Sequence, residues 1–271
     1  MFKVSAIIIT YKRKKKLKSA INSVLSQSFK PYELIIVNNN SYNINLKKII
    51  NGINIKVINC FKNFGSVHAR NIGANFSNGN FLAFLDDDDA WDKNYLKDVK
   101  KKYYSTKNEV FVSTIYYFNN RTKIYKKFIR ENNNSILKKI FTFNPGFGTS
   151  NLVISKKKFI KIGGYDENSI PSEDRVLCAE LLLNNAKICS TDAKIFYRLS
   201  PNQKSLSTNC KHVIKGNKYI LQKYGKIITF KNKLFIRNKI YKANYQLKKS
   251  SFGLIYLFIG LINLAIFNII K

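Results

Sequence analysis

Short β-branched apolar runs alternate with helical patterns through the first 90 residues. Such alternation builds βαβ units around a mostly parallel sheet. Val4–Ile9 reads as a first strand, and Leu17, Ile21, Val24 and Leu25 then share one helical face. Leu34–Val37 and Ile55–Cys60 supply the second and third strands. Ser66–Phe76 reads as a helix stopped near Gly79, and Phe81–Leu85 as the fourth strand. With 271 residues, 45% of them hydrophobic, the chain can bury a sizeable α/β core.

Ligands of open α/β sheets bind at the carboxyl ends of the strands. Three of these ends are polar here: Thr10-Tyr11-Lys12-Arg13, Asn38-Asn39-Asn40-Ser41 and Asp86-Asp87-Asp88-Asp89. Beyond them, Val110–Phe118 and Ile124–Ile129 are expected to be antiparallel strands and Phe147–Ser155 another. A basic helix from Lys156 ends at Gly163-Gly164, and a helix spans about Glu173 to Asn185. Strands follow near Lys187–Cys189 and Ile195–Leu199, then a basic, helix-leaning stretch to about Ser251.

Only 15 acidic residues occur in the chain, so four aspartates in succession call for an explanation. Adjacent carboxylates repel one another unless a cation or strong donors intervene. In an extended segment Asp86 and Asp88 project to one side, Asp87 and Asp89 to the other. Mg²⁺ and Mn²⁺ take one or two carboxylates and complete their shells with substrate phosphates and water. An Asp-x-Asp pair at a strand end therefore suits a metal–diphosphate site. The competing reading is a solvated acidic turn capping the next helix, with Asp89 and Asp92 in its first turn.

Composition narrows the alternatives. Cys60, Cys178, Cys189 and Cys210 lie far apart, which argues against a zinc cage or a disulfide scaffold and fits a reducing cytosol. Two histidines, His68 and His212, are too few for a His-based metal cluster. A formal charge of +33 fits either an anionic partner or a generic solvated basic surface, since the lysines are scattered through every segment. A nucleic-acid-binding protein is the reading from charge alone, but no zinc motif or reading element accompanies it. Near the C-terminus, the uncharged run 252–270 follows Lys248-Lys249 and reaches the lower range of a membrane span. Asn263, Asn268 and two glycines weaken a spanning helix, so a membrane-associating segment is expected there.

A set of ordered fragments adds to this reading. Ile8-Ile9-Thr10-Tyr11, Ser23-Val24-Leu25-Ser26-Gln27, Glu33-Leu34-Ile35-Ile36-Val37, Ala69-Arg70-Asn71-Ile72-Gly73, Phe84-Leu85 with the four aspartates, and Gly163-Gly164-Tyr165-Asp166-Glu167 together resemble glycosyltransferase family 2 over about residues 3 to 200. The resemblance implies a GT-A fold and inverting transfer from a nucleoside-diphosphate sugar, with a UDP-sugar as donor and Mn²⁺ or Mg²⁺ as cofactor. It places Thr10 and Tyr11, with Arg13 beside them, at the nucleoside site. Asn39 and Arg70 match base-contacting positions. Asp86 matches the residue near ribose and sugar, Asp88 the metal ligand, and Asp87 falls between them.

On physical grounds Tyr11 either stacks on a nucleobase or is an aromatic at the core edge. Arg70 either donates a fork of hydrogen bonds to base or phosphate, or pairs with the acidic run. Gly65 and Gly73 permit a turn and close packing.

Displacement at an anomeric carbon requires the acceptor hydroxyl to lose its proton as it attacks, so a carboxylate must face the donor from the other side. Glu173-Asp174 opens a helix and resembles the family's catalytic acidic pair, with Asp174 as the base. Without that resemblance, Ser172 as cap and two acids at a helix N-terminus account equally for the pattern. Asn144–Asn151 reads either as an ordinary turn or as the polar loop where the family places sugar and acceptor contacts, and Asp166 either caps a turn or touches substrate.

Two departures stand out. Asn38-Asn39-Asn40 replaces positions that are often Asp, and an amide cannot ionise. Ser200 stands where many relatives carry a histidine, leaving Arg198, Lys204 or His212 as substitutes. The expected organisation is a catalytic domain over 1–215 and a basic helical region over 216–271. The expected role is sugar transfer to a cell-surface glycan or lipid-linked acceptor at the inner face of the cell membrane, without nucleic acid. A non-catalytic scaffold of the same fold is the remaining alternative.

Overall fold

The computed structural model describes residues 1–40, 42–118, 123–126, 132–198, 209–248, 256 and 258–263. The N-terminal half is β1 (Val4–Thr10), α1 (Lys14–Leu25), β2 (Glu33–Asn38), β3 (Ile49–Ile50), β4 (Ile53–Asn59), α2 (Ser66–Asn75) and β5 (Phe81–Asp86). There follow β6 (Ala90–Trp91), α3 (Tyr95–Thr106), β7 (Val110–Phe118), β8 (Lys123–Lys126), α4 (Asn133–Ile140), β9 (Leu152–Ser155) and α5 (Lys156–Lys161). After a single 3-10 turn (Glu167–Ser169) come α6 (Glu173–Leu183), β10 (Ile188–Arg198), α7 (Cys210–Tyr224) and α8 (Phe230–Lys248).

Among the described residues the strands form one sheet in the order β3-β4-β2-β1-β5-β9-β7-β10-β6, with β8 paired to β7. The block β4-β2-β1-β5 is parallel. β9 enters antiparallel between β5 and β7, and β7 and β10 run parallel again. Each central strand is covered on both faces, which is why its sequence is almost continuously apolar. In β1, Ala6 and Ile8 pack with Leu17, Val24 and Val99 of α1 and α3, whereas Ile7 packs with Val67 and Ala69 of α2. Gly73 is what lets α2 lie this close: a Cβ there would meet Ile7 Cγ2 at 2.5 Å and Val37 Cγ2 at 3.2 Å.

Several expectations change. The acidic run is not extended: Asp86 ends β5 and the Asp89 amide donates back to the Asp86 carbonyl at 3.1 Å, closing a turn. Burial nevertheless alternates as expected, with Asp87 and Asp89 buried and Asp86 and Asp88 partly open. Asp89 does not cap a helix, because α3 begins six residues later at Tyr95. Asp92 does the local work, its Oδ1 accepting from the Asn94 amide. β9 is shorter than 147–155, since Asn144 and Asn151 side chains bind the backbone of 146–148 and keep that stretch a loop. The two late strands are one strand, β10, interrupted by an irregularity between Ser190 and Lys194.

α7 passes through residue 215, where a boundary was expected, and Ile220, Tyr224, Ile236 and Ile240 of α7 and α8 share the core of α2 and α6. Among the described residues no helix is long and apolar enough to cross a membrane. Most of segment 252–270 lies outside those residues, as do Ser200 and Lys204 and the Arg198 side chain. The four cysteines are free thiols.

Candidate active site

The carboxyl ends of β1, β2, β4 and β5 lie on one edge of the sheet, and each positions part of a polar cleft. At the end of β1, Thr10 Oγ1 donates to Asp87 Oδ2 at 2.7 Å. Arg13 Nη1 reaches both Asp87 Oδ1 at 3.1 Å and Asp88 Oδ2 at 2.7 Å, and Lys16 Nζ stands 3.6 Å from the same Asp88 oxygen. Burial raises the Asp87 pKa, with the Thr10 hydrogen bond and Arg13 working against the rise. Asp87 thus points inward and fixes Thr10 and Arg13, while Asp88 remains on the open side with 21% of its side chain exposed. Tyr11, beside them, is 40% exposed.

Asn39 is buried and organises the neighbouring loop. Its amide donates to Asn63 Oδ1 at 2.8 Å and to the Gly65 carbonyl at 3.2 Å, and its oxygen accepts from the Phe64 amide at 2.9 Å. Asn38 similarly holds Asn59 Oδ1 at 2.7 Å. Asn39 thus donates as well as accepts, which an ionised carboxylate cannot do.

On the other flank, Arg70 leaves α2 into the protein interior. Nη2 donates to Asp86 Oδ1 at 2.8 Å, Nη1 lies 3.6 Å from Glu173 Oε1, and the guanidinium sits 5.4 Å from the centre of the Tyr165 ring. Burial opposes its charge, but Asp86 and Glu173 outweigh that and hold its pKa above the ordinary value. In this structure Arg70 pairs with the acidic run through Asp86. The next residue, Asn71, clips Tyr165 by accepting from its amide at 2.9 Å and donating to its carbonyl at 2.8 Å.

The 144–151 loop joins the acidic run to the start of α6. Ser150 Oγ accepts from the Asp86 amide at 3.0 Å, while Thr149 Oγ1 donates to Asp174 Oδ1 at 2.7 Å and accepts from the Tyr165 hydroxyl at 3.2 Å. Burial and the adjacent Glu173 push the Asp174 carboxyl up to about 7, against the pull of Arg70 and Thr149. A carboxylate so tuned suits proton abstraction near neutral pH. Ser172 is the N-cap residue of α6 but makes no side-chain cap bond, and Glu173 and Asp174 lie in the first turn, where the helix dipole also favours them.

Asp166, by contrast, caps the 3-10 turn and binds Tyr219 and Lys223 of α7. His212 sits in the first turn of α7. Thr149, Ser150, Asn71 and Tyr165 carry roles that the sequence did not assign; the signal was their place inside the quoted fragments and loop.

Among the described residues no three His, Cys, Asp or Glu side chains form a metal cage. Asp88 Oδ2 is held by two cationic side chains, Arg13 and Lys16, which a divalent ion bound at that oxygen would have to displace.

The glycosyl transferase family 2 model matches residues 5–163, more than half of the chain. The chain belongs to this family. It is 28% identical over 218 residues to WfgD, the UDP-Glc:alpha-D-GlcNAc-diphosphoundecaprenol beta-1,3-glucosyltransferase of Escherichia coli, covering 76% of this chain and 80% of that one. It is 30% identical over 199 residues to TarP, the poly(ribitol-phosphate) beta-N-acetylglucosaminyltransferase of Staphylococcus aureus, covering 68% and 59%. Across the first three curated relatives the match spans 38%, 83% and 17% of their length. The crystal structure of S. aureus TarS 1–349 in complex with UDP-GlcNAc shares the fold with a TM-score of 0.61 at 18% identity, covering 96% of this chain and 80% of that one. The GT-A fold and family expected from the sequence are therefore found.

Proposed function

We propose that this glycosyltransferase moves a hexosyl or N-acetylhexosaminyl group from a UDP-sugar to a hydroxyl of a cell-surface glycan or lipid-linked acceptor, with inversion. The observation that carries this reading is the joining of two acidic sites at one sheet edge by Arg70 and the Thr149-Ser150 pair. One site offers Asp86 and Asp88, the other Asp174. Tyr11 and Arg13 flank the nucleoside side. Asp88, with Asp86 beside it, would hold Mn²⁺ or Mg²⁺, which when bound supplies charge stabilisation to the departing diphosphate.

The acceptor oxygen attacks the anomeric carbon as the bond from that carbon to the diphosphate oxygen breaks. The acceptor proton passes to Asp174, and the nucleoside diphosphate leaves. Thr149 keeps Asp174 oriented, and Arg70 limits repulsion between Asp86 and the acidic pair. The relatives' acceptors, one lipid-linked and one a polymer, support an acceptor at the cell envelope. No acidic residue follows Asp192, so the basic C-terminal part and segment 252–270 favour association with the inner, anionic membrane face.

A screen of nucleotide sugars for Mn²⁺-dependent hydrolysis tests the donor, and radiolabelled sugar transfer tests the residues. Asp88→Ala and Asp174→Ala should each abolish transfer with the fold intact; retained transfer in either removes that assignment. Deleting 252–271 should release the protein from sedimented membranes.

A further inference from the structure

Two tyrosines that the donor site and the base leave unused stand side by side across from the acidic run. Tyr117 lies near the end of β7 and Tyr197 near the end of β10, directly paired in the parallel register. Their ring centroids are 5.2 Å apart at an interplanar angle of 57°. β10 is also antiparallel to β6, with Ile195 opposite Trp91 and Phe196 opposite Ala90. One step along that register brings Tyr197 opposite Asp89.

Electrostatics locates the pair in the same way. Beyond burial, the carboxylates that act on Tyr197 are Asp89, Asp86 and Asp88, and those that act on Tyr117 are Asp89 and Asp174. The register thus sets Tyr197 against the acidic run, with Tyr117 beside it. Two residues before each, Ile115 and Ile195 are 5% and 1% exposed, whereas Tyr197 opens to 40%. Neither phenol hydroxyl takes part in a hydrogen bond among the described residues. A phenol hydroxyl is protonated at neutral pH and can donate a hydrogen bond.

We propose that Tyr117 and Tyr197 form the acceptor-side wall of the cleft and hold a pyranose ring of the acceptor by its C–H face, with a ring hydroxyl turned toward Asp174. This rests on the glycosyl-transfer reading and narrows its acceptor class. Paired aromatic surfaces with polar edges suit a ring that is apolar on its faces and hydroxylated at its rim.

The experiment measures transfer by the full chain, with the nucleotide sugar it turns over and Mn²⁺, to methyl pyranosides of glucose, galactose, mannose and N-acetylglucosamine and to ribitol 5-phosphate. At least one pyranoside should accept sugar, and ribitol 5-phosphate should not. For the best pyranoside, Tyr197→Ala should raise KM about five- to tenfold with a smaller change in kcat, as expected for a lost aromatic contact, and Tyr197→Phe should largely restore it. Tyr117→Leu, which fills space in the wall, should raise KM in the same sense, with UDP affinity by calorimetry held in both variants. Use of ribitol 5-phosphate in place of every pyranoside, an unchanged KM, or a parallel loss of UDP affinity overturns the wall while leaving glycosyl transfer intact. A parent protein that turns over no nucleotide sugar overturns both.

Discussion

Arg70 ties the two acidic sites together: it donates to Asp86 at 2.8 Å and stands 3.6 Å from Glu173, with only 6% of its side chain exposed. Removing one member of a buried ion pair leaves its partners uncompensated. Arg70→Met should therefore cost about 3 kcal/mol of stability, the lower end of the range because Asp86 is partly hydrated. Arg70→Lys keeps the charge but loses the planar fork, so it should restore stability in part and transfer less. Urea unfolding and radiolabelled transfer on the same preparations check both.

Asp174 gives a pH prediction with a definite sign. Its carboxyl titrates at about 7 in the folded protein, far above the unfolded value of about 3.9. Between those values the native state binds the extra proton, so this group's contribution to stability is present at low pH and is lost as pH rises toward 7. Activity runs the opposite way, because only the ionised form accepts a proton: kcat/KM should climb with pH and level off above about 7. Asp174→Asn should abolish transfer and flatten the stability profile across that window. A thermal-melting series against pH, beside the rate profile, reads both.

How far these relationships were legible differs by element. The parallel block was written in short continuous apolar runs between period-3.6 patterns, so β1, α1, β2, α2 and β5 emerged nearly in place. Local geometry that depends on a few atoms did not: the two-residue strand β3, the turn inside the acidic run and the irregularity in β10 leave no periodic trace. The candidate carboxylates were visible because charge is scarce here. Their coupling was not, since Arg70, Thr149, Asp174 and Tyr165 meet only after separate segments pack. Tyr117 and Tyr197 read as ordinary strand aromatics until the register paired them.

The asparagine triplet yields a test of the departure from aspartate. In Asn39→Asp the donors to Asn63 Oδ1 and the Gly65 carbonyl disappear, and a carboxylate is set against two acceptors in a buried place. The variant should lose about 1–3 kcal/mol of stability. It should also loosen the 63–65 loop that leads into α2 and Arg70, weakening UDP binding. Hydrogen exchange at the Phe64 and Gly65 amides checks the loop, and calorimetry with UDP checks the site.

The C-terminal helices carry the last prediction. Gly216 of α7 lies against the segment that enters α6: a Cβ there would meet Ser172 Oγ at 2.7 Å and Pro171 Cδ at 2.9 Å. Even Gly216→Ala must push α7 or residues 171–172 aside, although alanine favours the helix itself. Gly216→Val adds bulk where no space exists and should destabilise by about 1–3 kcal/mol. Because Glu173 and Asp174 follow Ser172 directly, the displacement should also lower kcat with little effect on nucleotide affinity. Tyr219 and Lys223, which bind Asp166 from the same helix, act against the shift, so Lys223→Met combined with Gly216→Ala should lower kcat more than the product of the single effects. That excess, measured as a double-mutant cycle on kcat, would show α7 to be part of the catalytic unit; strict additivity would show it to be packing alone.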